Sequence, residues 1–257
     1  MKKIFFLMII TQLLSCAKDG QEYVILNGKY LKGVNFFYYI DPNSPTIQLS
    51  WDYPVKPGTE NWKKFQSHKE MTDACQIPEN ILSSLSTKEL TIICLQYPLL
   101  TDIFAFNIPD DGIDALFNNF NGIRELFNRK EGTKELLSWY NCQIRNCSLL
   151  VGNENISEED TEKFLISISV LEYLLSRAKD NYMDVLKNLV LGYETKLQYP
   201  DYISSGLSHN LFSRAHIIDK MCTQCFDDIP NKGSLFVTWY FKEYIDIINK
   251  LSYMLIK

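Results

Sequence analysis

The chain has 257 residues, 46% of them hydrophobic and 22% charged, a profile too apolar and too weakly charged for disorder. Gly and Pro together contribute only 20 residues, which excludes collagen-like and linker-dominated chains and favours long helices. The formal charge of −5 argues against a nucleic-acid binder, which needs a basic footprint.

Lys2 and Lys3 precede an apolar run from Ile4 to Ile10, the pattern of a secretory signal. The run is too short to span a bilayer, which takes about 20 apolar residues. It ends in Leu13-Leu14-Ser15-Cys16, which resembles the lipobox of bacterial lipoproteins. The resemblance implies cleavage before Cys16, acylation of its thiol and new amino group, and attachment to the membrane through that residue. Several acyl chains hold firmly because each buried methylene contributes about 0.8 kcal/mol. An ordinary signal with a cysteine near its cleavage site is the alternative. Ala17 stands where an Asp retains some lipoproteins at the inner membrane, so an outer-membrane lipoprotein is expected. Ala17-Lys18-Asp19 partly resembles the export signal of Bacteroidota surface lipoproteins, but Gly20 departs from its acidic run. Both the periplasmic and the surface-exposed leaflet stay open. Without residues 1–15 the balance is 24 basic to 31 acidic side chains, or −7.

Residues 16–58 read as a lipid-anchored tether or extended segment. Asn27-Gly28 between apolar runs is a hairpin signal. Phe36–Ile40 and Thr46–Leu49 flank the turn-rich 41–45, so a second hairpin or an irregular tether follows.

From residue 59 to 257 the pattern predicts helix after helix. Ser86 and Glu89 form a capping box ahead of Leu90, Ile93, Cys94 and Tyr97 at helical spacing. Ile113, Leu116, Phe117 and Phe120 make a second face, closed by Asn121-Gly122. Ile123, Leu126 and Phe127 make a third, closed by Gly132, and Thr133 caps a fourth carrying Leu137, Tyr140 and Ile144. Ser157 and Asp160 suggest a second capping box, opening a central helix that runs to Lys179. Further helices are expected over about 181–199, 208–221 and from Ser234, the last carrying Val237, Phe241, Tyr244, Ile248, Leu251 and Leu255. Thr-Lys-Glu-Leu occurs at 87–90 and again at 133–136. The expected class is mainly α, an irregular multi-helix bundle or short α-solenoid with a small extended or hairpin segment at the N-terminus.

Trp51-Asp52-Tyr53-Pro54-Val55-Lys56-Pro57-Gly58-Thr59 with Trp62, Ala74-Cys75-Gln76-Ile77-Pro78-Glu79, the Ser86-Thr87 cap with Cys94 and Tyr97-Pro98, and Phe120-Asn121-Gly122 ahead of Glu125-Leu126 form a set. It resembles a group of uncharacterised Bacteroidota lipoproteins over a little more than a third of the chain. The resemblance implies an envelope address and a helical fold, and no activity.

With Cys16 given to lipid, Cys75, Cys94, Cys142, Cys147, Cys222 and Cys225 remain. Cys94 reads as a small core hydrophobe. Cys142 and Cys147 can pair only across a helix end. Cys222-Thr223-Gln224-Cys225 reads as a local disulfide, a redox pair, or half of a zinc site completed by Cys142 and Cys147. His209 and His216 lie two turns apart, too far for one metal, and Asp219 one turn past His216 could orient it as a base. No catalytic motif and no metal or cofactor site is evident. Asp110-Asp111-Gly112 reads as a helix start rather than a calcium loop. Tyr38, Tyr39, Trp51, Tyr53 and Trp62, with Phe36 and Phe37, make either an aromatic surface for a glycan or peptide or a set of rings pinning the N-terminal segment to the helices. The expected function is an envelope module binding a protein or small ligand; the alternatives are a hydrolase using scattered carboxylates and His216, or a structural envelope component.

Overall fold

The computed structural model describes residues 24–26, 30–40, 49–199, 206–222, 224–226 and 242–257. Three short strands, β1 (Val24–Leu26), β2 (Tyr30–Lys32) and β3 (Phe37–Tyr39), form an antiparallel sheet in the order β1-β2-β3. Ile25 pairs with Leu31, and Leu31 with Tyr38. The arms of the first expected hairpin are therefore present, while its turn at 27–29 lies outside the described residues. Of the second expected hairpin, 41–48 lie outside the described residues, and β3 pairs with β2.

The rest of the fold is mainly helical. The α-helices are α1 (His68–Ala74), α2 (Glu79–Leu82), α3 (Thr87–Leu95), α4 (Pro109–Asn119), α5 (Asn121–Asn128) and α6 (Gly132–Arg145). They continue with α7 (Glu158–Ser176), α8 (Tyr182–Lys196), α9 (Gly206–Met221) and α10 (Lys242–Leu255). Single 3-10 turns lie at Trp62–Lys64 and Cys147–Leu149, and a longer one at Leu100–Ala105. None of the described helices is long and apolar enough to cross a membrane.

The central helix is α7. Phe164, Ile168, Leu171, Leu174 and Leu175 are wholly buried on it, each such side chain contributing about 1.5–3 kcal/mol. It packs against α6, α9 and β3, and α9 in turn carries α8 and α10. Seats are therefore fixed for residues of α6, α7, α8 and α9 to meet.

Several helix boundaries fall elsewhere than expected. Phe120 is extended (φ −131°, ψ 116°), so the chain breaks there and Asn121-Gly122 opens α5 instead of closing α4. Gly132 likewise opens α6, and Thr133 is a buried residue of its first turn instead of its cap. Ser86 and Glu89 do form a reciprocal capping box. At α7 only half of such a box forms. The Asp160 amide donates to Ser157 Oγ at 3.1 Å, while the Asp160 carboxylate turns to Lys32 Nζ at 2.8 Å, tying α7 to β2.

The boundary expected at residue 58 separates nothing in the packing. Phe37 and Tyr38 are wholly buried, the Phe37 amide donates to Ser167 Oγ of α7, and the Tyr39 amide donates to Gln143 Oε1 of α6. The described residues from Tyr30 to Tyr53 thus pack on the helical body, where their rings complete its core.

Candidate functional site

Two charged clusters occupy the helical body. The first gathers where α4 begins. Pro109 opens that helix without needing an amide donor, and Asp110 and Asp111 follow in its first turn, where the helix dipole favours negative charge. Arg177, the residue that ends α7, reaches Asp110 Oδ1 at 2.8 Å and Asp114 Oδ1 at 2.7 Å. His216 of α9 places Nε2 3.3 Å from Asp110 Oδ2. Burial pushes the Asp110 carboxyl up, but His216 and Arg177 together outweigh it and hold it below the ordinary carboxylate range. Lys220, one turn beyond His216, donates to the carbonyls of Ser176 and Ala178 at 2.8 Å each, satisfying the end of α7. Burial lowers its ammonium to about 8, with Arg177 adding to the effect.

The second cluster is sealed in the core. Glu172 sits mid-α7 and is wholly buried. Its Oε2 accepts from Lys196 Nζ of α8 at 2.6 Å, and its Oε1 accepts from Tyr140 Oη of α6 at 2.9 Å and Asn210 Nδ2 of α9 at 2.8 Å. Four helices thus converge on one carboxylate. Lys196 is only 1% exposed, so this is an ion pair removed from water, which is tolerable only because the remaining lone pairs are filled. Burial pushes the Tyr140 hydroxyl far up, and Glu172 adds to the shift. His209, next to Asn210 on α9, lies among Tyr173 at 4.8 Å and Phe104 at 5.2 Å. Burial, with Lys196 second, lowers its imidazole to about 3, so it is neutral at neutral pH.

One turn further along α9 stands Arg214, also wholly buried. Its Nε donates to Ser252 Oγ of α10 at 2.9 Å, its guanidinium lies 5.1 Å from the centre of the Tyr193 ring, and one terminal nitrogen approaches the Ile248 carbonyl at 3.4 Å. Burial lowers its pKa to about 10, which still leaves it charged at neutral pH.

The residues singled out in the sequence are placed as follows. Cys16 lies outside the described residues. Cys222 and Cys225 are joined as a disulfide just past α9, which uses up both thiols of the C-x-x-C. Cys75, Cys94, Cys142 and Cys147 are thiols. Cys142 Sγ lies 3.8 Å from the Tyr39 carbonyl. Burial pushes Cys75 up to about 12 and Cys147 to about 11, and raises Cys94 strongly, so these three are packing groups with little thiolate character. Among the described residues no three His, Cys, Asp or Glu side chains gather as a metal site would require.

The aromatic residues are divided by burial. Tyr38, Tyr39 and Tyr53 are at most 8% exposed and present no face to a ligand; Trp51 and Trp62 are half-buried against the core. Tyr38 packs edge-on to Trp139, and Tyr53 packs against Trp51 and donates from its hydroxyl to the Ile93 carbonyl. The rings pin the N-terminal segment to the helices.

Several of the motif residues converge on one joint. Gln76 Nε2 donates to the Asn119 carbonyl while its Oε1 accepts from the Asn121 amide, and the Asn121 side chain bonds both the amide and the carbonyl of Ile77. Behind this exchange Tyr97 and Phe120 stack at 4.0 Å, with Tyr53 beside them. Arg129 adds bonds to the Leu82 and Leu85 carbonyls. These residues build the fold.

Sequence reading missed the Glu172 node with Lys196 and Asn210, the partners of His216, and Arg214. Asp110 and Arg177 come to His216 from elements distant in the chain, and only tertiary packing joins them. Arg214 carried no signal beyond its place in the face Asn210–Arg214 of α9. No family model, curated protein or solved structure matches the chain.

Proposed function

We propose that the chain is a lipid-anchored protein of the cell envelope whose helical body binds a partner protein or a small ligand. The anchor reading rests on Leu13-Leu14-Ser15-Cys16 behind a basic and apolar leader. Binding is favoured over hydrolysis by one observation: Asp110, the carboxylate on His216, is also clamped by Arg177. A carboxylate shared with a guanidinium in this way is a brace between α4, α7 and α9, and it weakens the pull on the imidazole that a general base would need. Glu172, the most buried carboxylate among the described residues, accepts from three side chains and is likewise committed to the fold.

The test is affinity capture of the full-length protein from its own membranes, beside a Cys16→Ala control. Enrichment of a defined partner with the wild type alone is the expected result. Equal recovery from both samples, or none from either, contradicts the reading and leaves a structural component.

A further inference from the structure

Among the described residues three charged side chains are buried to 1% exposure or less: Glu172, Lys196 and Arg214. All lie where α7, α8 and α9 meet, so the junction holds two cations and one carboxylate. That carboxylate is committed to Lys196, Tyr140 and Asn210. Among the described residues Arg214 has no carboxylate within ion-pair distance, Glu194 acting on it only from further off, and its second terminal nitrogen has no hydrogen-bond acceptor. An unpaired buried charge is costly, and a buried donor without an acceptor adds to the cost. Native proteins rarely leave such a group so, and an ion or ligand is a common reason.

We propose that Arg214 anchors a buried anion site that takes the carboxylate or phosphate group of a small ligand between α8, α9 and α10. The guanidinium is already held on three sides, by Ser252, by the Ile248 carbonyl and by the Tyr193 ring. Its ordering is therefore complete before the ligand arrives, which favours binding. The planar fork matches the spacing of two oxygens on one centre, and an oxyanion balances the buried charge. Asn210 Oδ1, one turn earlier on the same helix face, also lacks a partner. Tyr253 Oη of α10 donates to Glu194 Oε1 of α8 at 2.7 Å, and both groups lie near enough to act electrostatically on Arg214. The site does not depend on the lipid anchor.

The experiment is thermal unfolding of the full-length chain in detergent, titrated separately with inorganic phosphate and acetate at constant ionic strength. A saturable rise in Tm is expected, roughly 5–10 °C once the anion stands about a hundredfold above its Kd. Arg214→Met loses that rise, while Arg177→Gln, on the surface cluster, keeps it. Saturation by phosphate or by acetate identifies the favoured oxyanion. Should Arg214→Met fail to fold, the guanidinium resonances of 15N-arginine-labelled wild type are followed through the same titrations; a saturable shift of the Arg214 signals supports the site. Absence of any saturable response in the wild type, or an equal response in Arg214→Met, would overturn the proposal, as would resonances that report contact with water alone. Failure here leaves the partner capture untouched, and failure of the capture leaves this titration untouched.

Discussion

The hydroxyl oxygen of Tyr140 lies 1.7 Å from the point where a β-carbon on Gly192 would stand. Glycine at that place on α8 lets a side chain from α6 pass close to the α8 backbone and reach Glu172 on α7. Gly192→Ala is therefore expected to push the ring aside and strand one donor on the carboxylate. The combined overpacking and lost bond cost about 2–4 kcal/mol in urea unfolding. Gly192→Ala with Tyr140→Phe costs less than the sum of the two single changes, because both act on one contact.

Lys196 and Glu172 test the same node by charge. Lys196→Met leaves a carboxylate buried without its ammonium, at a cost of about 3–5 kcal/mol. Lys196→Met with Glu172→Gln recovers at least half of that, because the amide oxygen still accepts from Tyr140 and Asn210. Denaturation midpoints of the three proteins decide the matter; a double variant no better than Lys196→Met would show that the lysine acts through packing alone.

How much of this was legible in the chain depends on the range of the interaction. The capping box of Ser86 and Glu89 is local, and its sequence spacing was enough. The buried face of α7 follows from its period. Asn121-Gly122 and Gly132 were misread because glycine near a helix end is more often a stop than a start. Here extended Phe120 breaks the chain before Asn121. At the start of α6 only glycine fits, because a β-carbon on Gly132 would lie 2.0 Å from the Leu126 carbonyl oxygen. Asp160 completes a capping-box pattern yet spends its carboxylate on Lys32, a partner no local rule reveals. The Glu172 node and the His216 brace are assembled wholly by tertiary packing, so neither spacing nor composition pointed to them.

Acid should expose His209. Its folded value near 3 lies below the ordinary imidazole value of about 6.5, so the unfolded chain takes up a proton that the fold refuses. Its contribution is present above the unfolded value and is lost as pH falls below it. The expected slope is about 1.4 kcal/mol per pH unit between roughly pH 6 and pH 4. His209→Phe keeps the ring contacts and removes this slope. The comparison of the two unfolding curves across that range isolates the histidine from the carboxylates titrating beside it.

The brace at the start of α4 predicts a different signature. Arg177→Gln removes the counter-charge that helps hold Asp110 ionised, so the Asp110 carboxyl rises toward its ordinary range. Global stability falls by about 1 kcal/mol or less, since both partners are partly exposed. Hydrogen exchange should accelerate in the first turn of α4, near Asp110–Asp114, with the core of α7 unaffected. Acceleration spread evenly over all helices would argue against a local brace.

The most direct test of a lipid-anchored binding module is the intact mass of the protein extracted from its native membrane. The account predicts a chain beginning at Cys16, heavier than its amino-acid mass by the acyl groups on that residue, with Cys16→Ala found in the soluble fraction. A soluble, unacylated wild-type chain, or one that retains residues 1–15, would contradict it.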